Sequence, residues 1–273
     1  MGLVAMSVVV GVLATMGITP TVALAGQIAT NSISVFDNLP DYLGIEQLSQ
    51  KSNIYATRSD GAPVLLASFY DQNRIEVESG AISQFVKDAA IAGEDPRFFE
   101  HNGIDIQGTL RAIVSTMFSD SLQGGSSITQ QYVKNVLVQK CEVIVDETQS
   151  DLCYTAATEI TGARKLREMR FAIAVEKKYE KADILRQYLN ITGFGGSVYG
   201  IEAAANHYFN TTAAAVTLPQ AASLVAIVNN PRKFQLDRPK SVTNGTANDY
   251  AANKVRRDYI LGEMLGEQKI SAA

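Results

Sequence analysis

The chain has 273 residues, of which 46% are hydrophobic and 19% are charged, enough for one sizeable domain or two small ones with real cores. Its formal net charge of −4 disfavours a nucleic-acid partner on bulk electrostatics. Only two histidines and two cysteines are present, which excludes most transition-metal sites built from those side chains. Any metal would therefore be a hard cation bound through oxygen.

The N-terminal stretch is uncharged, because the first acidic or basic residue is Asp37 and residues 3–25 read LVAMSVVVGVLATMGITPTVALA. About 20 apolar residues suffice to cross a bilayer, so this segment predicts a transmembrane anchor over 3–25. Two alternatives stay open: a cleaved signal peptide, since residues 23–25 resemble an A-x-A cleavage site, and a buried helix of a soluble protein. An anchor and a signal peptide would both place the rest of the chain outside the cytoplasm.

The region that follows contains a strand signal. Residues 26–53 form a polar connector, and two β-rich runs at 54–58 and 64–70 flank an Asp-Gly turn. This pattern predicts a β-hairpin within a linker region over 54–82, and little other strand.

From residue 83 onward apolar residues recur at helical spacing, which predicts a helical domain over 83–265 and the start of a linker to a missing domain over 266–273. Because helices dominate, the predicted fold class is mainly α with a small β element at its membrane end. The predicted helices are a first one ended by Pro96, then 105–117, 129–138, 161–179, 181–190, 200–208, 218–228 and 253–265.

Cys141 and Cys153 bracket a short segment between two predicted helices. In an oxidising compartment, two isolated cysteines at such a spacing favour a disulfide that closes a surface loop. The alternative is a pair of unrelated buried thiols.

The densest chemical signal is EDPRFFEHNGID at residues 94–105. Glu94 follows the small apolar run AAIAG, so its surroundings should be partly dry, and desolvation raises the pKa of a carboxylate. Such a group is suited to taking a proton from a hydroxyl. The alternative is that Glu94 and Asp95 simply end a helix, but acids are unfavourable at a helix C-terminus.

A second cluster, GGSSITQQ at residues 124–131, is followed by Lys134 and Asn135. Its glycines allow close approach of the backbone, while hydroxyls, amides and a helix N-terminus converge where an anion would lie. Lys134 falls one turn further on the same helix side. The cluster suits a phosphate or pyrophosphate, and the alternative is a flexible linker.

A third cluster, RKLRE at residues 164–168, places two cations on one helix face with an acid. Lys165 and Glu168 are three residues apart, and Arg164 and Glu168 are four apart. Taken alone, this pattern is typical of a surface salt-bridge ladder.

In chain order the clusters resemble the motifs E-D-x-x-F-x-x-H-x-G-I-D, G-G-S-[ST]-I-T-Q-Q-x-x-K-N and R-K-x-x-E of a known family. This is the peptidoglycan glycosyltransferase domain, glycosyltransferase family 51, of class A penicillin-binding proteins and monofunctional peptidoglycan glycosyltransferases. Segments 184–209 and 218–231 resemble its fourth and fifth motifs, so the resemblance spans about 54–265. It implies a lysozyme-like helical body with a head and a membrane-facing jaw, whose apolar part would fall at 113–122.

The resemblance also implies an activity. Family members polymerise lipid II, a lipid-linked disaccharide, into β-1,4-linked glycan strands and release undecaprenyl pyrophosphate. The expected partners are lipid II, the growing glycan chain and the bilayer. The expected location is the cell membrane, with a single span and the catalytic domain on the extracytoplasmic face. The sequence requires no cofactor, although a divalent cation (Mg²⁺ or Mn²⁺) beside Glu168 is compatible with it.

Residue roles follow from motif positions. Glu94 corresponds to the family's catalytic base, and Glu168 to a second carboxylate on the pyrophosphate side. Lys134, with Arg164 and Lys165 nearby, would stabilise the pyrophosphate through charge-assisted contacts. The other positions expected on the substrate side are Asp95, Phe98, His101, Gly125, Ser126, Thr129, Gln130, Gln131 and Asn135.

The chain also departs from the family pattern. Ile160 stands where members often carry an arginine, and the loop 140–161 is longer than usual, with Lys140 as a candidate substitute for the missing cation. The transpeptidase signatures S-x-x-K and K-T-G are absent from the sequence, so we expect no transpeptidase in this chain and no β-lactam binding. The favoured interpretation is a larger protein cut after its first catalytic domain, and the alternative is a monofunctional enzyme.

Two other functions compete with polymerisation. A lytic transglycosylase or muramidase of lysozyme-like fold also needs one key glutamate, but it has no pyrophosphate to hold. The second and third clusters therefore favour the polymerase over the cleaving enzyme. The other alternative is a catalytically silent membrane scaffold that recruits cell-wall enzymes, which predicts that Glu94→Gln leaves the phenotype intact.

Overall fold

The computed structural model describes residues 48–109 and 125–271. The predicted anchor over 3–25 and the apolar segment over 113–122 lie outside these ranges, as do most of the connector and most of the helix predicted over 105–117. No helix in the two described ranges combines the length and the apolar character that a membrane crossing requires.

The first element is the predicted hairpin. Strand β1 (Ser52–Thr57) pairs antiparallel with strand β2 (Pro63–Phe69), with an irregular register between Ile54 and Tyr55. Gly61 in the turn has φ of +84°, a conformation that glycine adopts without strain. The hairpin prediction is therefore confirmed.

A second, smaller sheet lies beyond what the sequence predicts. Strand β3 (Asn73–Arg74) pairs in parallel with strand β4 (Val198–Tyr199). The buried guanidinium of Arg74 donates from Nε to the carbonyl oxygen of Asn190 at 3.1 Å and lies 5.2 Å from the centroid of the Tyr199 ring. Strands of two residues have no alternating pattern to detect, so only these long-range contacts reveal them.

The rest of the described chain is mainly helical, as predicted, and residues 106–109 are also helical. The predicted helices that fall in the described ranges are present, with ends shifted by a few residues. The helices are α1 (Gln84–Glu94), α2 (Ile128–Glu142), α3 (Glu147–Thr158), α4 (Gly162–Lys178), α5 (Lys181–Ile191), α6 (Ile201–Phe209), α7 (Leu218–Asn229), α8 (Pro231–Phe234) and α9 (Ala251–Gly266).

Helix α3 occupies the segment that the sequence suggests is a long loop. It begins at a capping Asp146, whose side chain accepts a hydrogen bond from Gln149 N at 2.8 Å. Ala157 is its one buried residue, so it has no apolar stripe that would predict a helix. A disulfide between Cys141 and Cys153, with Cα atoms 5.4 Å apart, ties α3 to the end of α2.

The helices pack in two groups, one on each side of the candidate site. Helix α1 packs against α7 and α9, whereas α2 packs against α3, α4 and α5. Gly93 lies where α1 approaches α9, since a Cβ there would lie 3.0 Å from Ile260 Cγ1. The close contact of these two helices therefore depends on the lack of a side chain at residue 93.

The loop after α1 joins the two groups. Gly103 has φ of +89°, and a Cβ there would lie 2.7 Å from the backbone carbon of Ala172 in α4. The carbonyl oxygen of Gly103 accepts a hydrogen bond from Ser127 Oγ at 2.7 Å, directly before α2. The loop is consequently fixed against both α2 and α4.

Replacing Gly103 with alanine should destabilise the protein strongly, because the variant combines a strained positive φ with a backbone clash. We expect a loss of about 3 kcal/mol in the free energy of unfolding. Equilibrium unfolding in urea measures this loss.

Gly61→Ala is the matched control, because Gly61 has φ of +84° but a Cβ there meets nothing within 4 Å. Its expected loss is about 1 kcal/mol, from backbone strain alone. Equal losses for the two variants would show that the close packing of Gly103 against Ala172 contributes nothing to stability.

Candidate active site

Glu94 is the last residue of α1, and its side chain is only 7% exposed. Its Oε1 accepts a hydrogen bond from Arg256 Nη2 at 3.2 Å, and its Oε2 accepts one from Gln131 Nε2 at 3.0 Å. Burial raises the pKa of Glu94, while the charge of Arg256, the bond from Gln131 and the charge of Lys134 act in the opposite direction. A carboxylate in this state, held by donors on two sides, can accept a proton from a hydroxyl.

Asp95 fixes the loop after Glu94 to the start of α2. Its buried carboxylate accepts a hydrogen bond from Ile128 N at 2.9 Å, and His101 Nε2 lies 3.0 Å from both of its oxygens. A helix N-terminus has unpaired N–H groups and a positive dipole end, so it stabilises this carboxylate. Asp95 and His101 therefore bind each other and the backbone that links the first two clusters.

The second cluster divides into buried and cleft-facing residues. Ser127 and Gln130 form a capping box at the start of α2, each side chain bonding the other's backbone. Thr129 is also buried, and its hydroxyl donates to the carboxylate of Glu176. Thr129 and Gln130 thus use their side chains inside the protein to support the helix start.

Gln131 faces Glu94 instead. Its Oε1 accepts a hydrogen bond from the Tyr188 hydroxyl at 3.1 Å, which leaves its NH₂ group directed at the carboxylate. Burial raises the pKa of Tyr188 well above its usual value, so this hydroxyl remains a neutral donor.

Glu168 gathers the cations of the third cluster. Its carboxylate is 2% exposed and pairs with Arg164 Nη1 and with Lys165 Nζ, the latter at 3.0 Å. Lys165 Nζ also donates to Ser126 Oγ, which joins the second and third clusters. Because Glu168 is buried, this cluster is more than a surface salt-bridge ladder.

Lys134 adds a third cation to this group. Burial and the charge of Arg164 lower the pKa of Lys134, and burial with the charges of Arg164 and Lys134 lowers the pKa of Lys165 to about 8. Three cations beside the two carboxylates of Glu94 and Glu168 leave a net positive charge, which favours an anionic ligand. We call Lys134, Arg164 and Lys165 the cationic cluster.

A cleft lies beside Glu94 and the start of α2. Glu94 and Ser126 both line it, and Ser126 is bonded to Lys165 of the cationic cluster. Lys134 acts electrostatically on Glu94 and on Arg164, which places residues 94, 134 and 168 around one region. The residues that line the cleft are Glu94, Asp95, Pro96, Asp105, Gly108, Gly125, Ser126 and Ser127.

The remaining predicted positions differ in how deeply they are buried. Phe98 is fully buried, with Lys181 Nζ 4.4 Å from its ring centroid. Asn135 is half-buried on α2. Ile160 is 99% exposed directly before α4, and Lys140, in the last turn of α2, lies about 120° around the helix from Lys134. Lys140 therefore lies on a different face of α2 from Lys134.

The surroundings of Glu168 do not fit a hard cation. Both carboxylate oxygens pair with positively charged side chains, and Mg²⁺ or Ca²⁺ prefers several oxygen donors together. Within residues 48–109 and 125–271, no group of three or more His, Cys, Asp or Glu side chains is gathered to hold a metal.

Arg256 is the site residue that sequence reasoning missed. It lies on α9, predicted only as a charged helix, and contacts Glu94 from 162 positions away. Its one signal is that it precedes the buried Ile260 and Met264 by four and eight residues, so a cation falls on the apolar stripe of the helix.

Comparison with known proteins assigns the chain to a protein family. The family model described as "Transglycosylase" matches residues 62–265, three quarters of the chain. The chain therefore belongs to the transglycosylase family, the peptidoglycan glycosyltransferase domain that its motifs resemble.

The chain is moderately similar in sequence to individual proteins of this family. The chain is 35% identical over 209 residues to penicillin-binding protein 1F of Bacillus subtilis (strain 168), covering 76% of this chain and 25% of that protein. It is 38% identical over 168 residues to a monofunctional glycosyltransferase of Staphylococcus aureus (strain JH9), covering 59% of this chain and 56% of that protein. The chain thus spans between a quarter and about half of these relatives' lengths.

A solved structure gives a weaker likeness. The crystal structure of penicillin-binding protein 1A from Haemophilus influenzae matches with 18% identity and a TM-score of 0.37, covering 83% of this chain and 20% of that one. At this TM-score the likeness adds nothing to the family assignment, which rests on the sequence matches.

The low pKa of Lys165 predicts a pH-dependent affinity for anions. Lys165 loses its proton as pH rises through about 8, so the cationic cluster loses one positive charge. Relative to Lys165→Arg, which stays charged, wild type should lose roughly tenfold in affinity for inorganic pyrophosphate between pH 7 and pH 9.

Titration calorimetry measures the affinity of wild type and of Lys165→Arg for pyrophosphate at each pH. The ionisation of pyrophosphate affects both proteins equally, so it does not alter the ratio of their affinities. Parallel pH profiles for the two proteins would contradict a role of Lys165 in anion binding.

Proposed function

We propose that this chain is a peptidoglycan glycosyltransferase that polymerises lipid II into β-1,4-linked glycan strands and releases undecaprenyl pyrophosphate. Membership of the transglycosylase family supports the reaction class. The observation that carries the proposal is the buried carboxylate of Glu94 in the lining of a cleft that also includes Ser126, the residue bonded by Lys165 of the cationic cluster. Such a cleft offers a base for an incoming hydroxyl and positive charge for a departing phosphate.

Glu94 acts as the general base. Its carboxylate takes the proton of the acceptor sugar's 4-hydroxyl, and the hydroxyl oxygen bonds to the anomeric carbon of the growing chain. Burial raises the pKa of Glu94 and so strengthens it as a base. A carboxylate has about four lone-pair positions, so the bonds from Arg256 and Gln131 leave room for the substrate hydroxyl.

The cationic cluster serves the leaving group. As the new bond forms, the bond between the anomeric carbon and the pyrophosphate oxygen breaks, with inversion at that carbon, and its electron pair stays on the pyrophosphate. Lys134, Arg164 and Lys165 stabilise the developing charge, since charge-assisted hydrogen bonds are the strong ones. Glu168 contributes by holding Arg164 and Lys165 in place.

Other residues of the motifs have positioning roles in this proposal. Asp95 and His101 hold the loop that carries Glu94, and Gln131 orients its carboxylate. Ser126 and Gly125 line the donor side of the cleft. Four further motif residues, buried or half-buried, support the structure around the cleft: Phe98, Thr129, Gln130 and Asn135.

The names of the relatives agree with this activity. One is named a monofunctional glycosyltransferase, and the other a penicillin-binding protein. Because lipid II stays in the bilayer, we also propose a single-span membrane protein with its catalytic domain on the extracytoplasmic face, anchored through residues 3–25.

A glycan-cleaving enzyme is the second candidate from the sequence, and the site gives it no specific support. Hydrolysis or lytic cleavage at one glutamate leaves no anionic leaving group for the cationic cluster to bind.

Replacing Glu94 with glutamine should lower lipid II polymerisation by roughly a hundredfold or more, because the amide cannot take the acceptor proton. Labelled lipid II, with product strands separated by electrophoresis, measures the rate with and without a chelator. Glu100→Gln is the matched control, since Glu100 is an exposed acid of the same motif and should leave the rate unchanged.

An active Glu94→Gln protein would contradict the assignment of the base. Degradation of preformed glycan without polymerisation would overturn the proposed function in favour of the cleaving enzyme.

A further inference from the structure

Arg256 from α9 bridges the end of α1 and the carboxylate proposed as the base. Its Nη2 donates to the carbonyl oxygen of Gly93 at 2.8 Å and to Glu94 Oε1 at 3.2 Å. Its guanidinium also lies 4.8 Å from the centroid of the Tyr259 ring. A single nitrogen therefore binds two acceptors of adjacent residues at the helix end.

A positively charged hydrogen-bond donor stabilises the C-terminal end of α1. The last carbonyl groups of a helix have no partner within the helix, and the dipole makes this end negative. Glu94 adds a further negative charge there, in a place where water is largely excluded. Without a cation, this carboxylate would tend to take up a proton and lose its capacity as a base.

The packing of α9 fixes where Arg256 lies. Asn253, one turn earlier, is buried and donates from Nδ2 to two backbone carbonyl oxygens at 2.9 and 3.1 Å. Ile260, one turn later, is buried against Gly93. Arg256 lies between them on the same side of the helix, so the core holds it at the end of α1.

We propose that Arg256 is a positioning residue for the general base, holding the Glu94 carboxylate ionised and fixed in orientation at the cleft. This inference rests on the proposed function, because that function makes Glu94 the base. It goes further by assigning a role to a helix that lies outside the three catalytic motifs.

Other groups also face Glu94 and must be considered. Lys134 of α2 acts on it at longer range, Tyr188 of α5 reaches it through Gln131, and Asp95 is its acidic neighbour in sequence. Among the described residues, Arg256 is the cation that forms a hydrogen bond with this carboxylate.

Loss of the Arg256 charge should move the pH profile in a defined direction. Burial still raises the pKa of Glu94 in the variant, while the largest influence that lowers it is gone. The base works only when ionised, so activity rises as pH increases through the pKa of Glu94. The acid limb of the profile should therefore shift to higher pH by about one unit or more.

The test compares full-length Arg256→Gln, Arg256→Met and Arg256→Lys in lipid II polymerisation, with kcat/KM measured from pH 5 to pH 9. The two neutral variants should show the shifted limb, with roughly tenfold or greater loss at the acidic end and recovery at higher pH. Arg256→Lys keeps a cation and should keep the limb near its wild-type position at a reduced rate.

Arg257→Gln is the matched control, because Arg257 is the next residue of α9 and its Nη2 pairs with the exposed Asp258 at 2.7 Å. Its profile should equal that of wild type. Thermal unfolding checks that each variant is folded. If Arg256→Met does not fold, Arg256→Gln serves as the neutral variant, because its amide can still donate a hydrogen bond to the carbonyl oxygen of Gly93.

A neutral variant that loses rate equally at every pH, or that matches wild type, would overturn this inference. Glu94→Gln separates the two proposals. If it abolishes polymerisation while the neutral Arg256 variants show no shift, only the role of Arg256 fails. If it remains active, the base assignment fails and the role of Arg256 fails with it.

Discussion

The arrangement of the site depends on one buried carboxylate at the N-terminus of α2. Asp95 accepts hydrogen bonds from the backbone of Ile128 and from His101, so the loop after α1 cannot leave the start of α2. Gly103 makes the corresponding contact with α4, where a side chain would not fit. Hydrogen bonds that are shielded from water are strong and costly to leave unmade. Together they keep three separate segments of sequence around one cleft.

This organisation gives adjacent acids different tasks. Asp95 is directed at the backbone and a histidine, where it has a structural part. Glu94, one residue earlier, is bound instead by the side chains of Gln131 in α2 and Arg256 in α9. The helix end between them turns the two carboxylates in different directions. Two identical functional groups are thereby separated into a support and a candidate base.

The two helical groups divide the proposed chemistry between them. The group of α1, α7 and α9 supplies Glu94 and the arginine that binds it, whereas α2 and α4 supply the cationic cluster. Glu168 belongs to this second group through its pairs with Arg164 and Lys165. The proposed base and the cations proposed for the leaving group are thus carried by different groups of helices, which the loop from Asp95 to Gly103 joins.

The sequence by itself determined the hairpin, most of the helices and the family, because turn chemistry, apolar periodicity and motif order are local properties of a chain. It also indicated that Glu94 would lie in dry surroundings. Only the tertiary structure revealed α3, which lacks an apolar face, and the sheet of β3 and β4. It likewise decided that Thr129 and Gln130 turn inward and that Arg256 reaches Glu94. Contacts between residues far apart in sequence leave no local period, so they appear only when the helices pack.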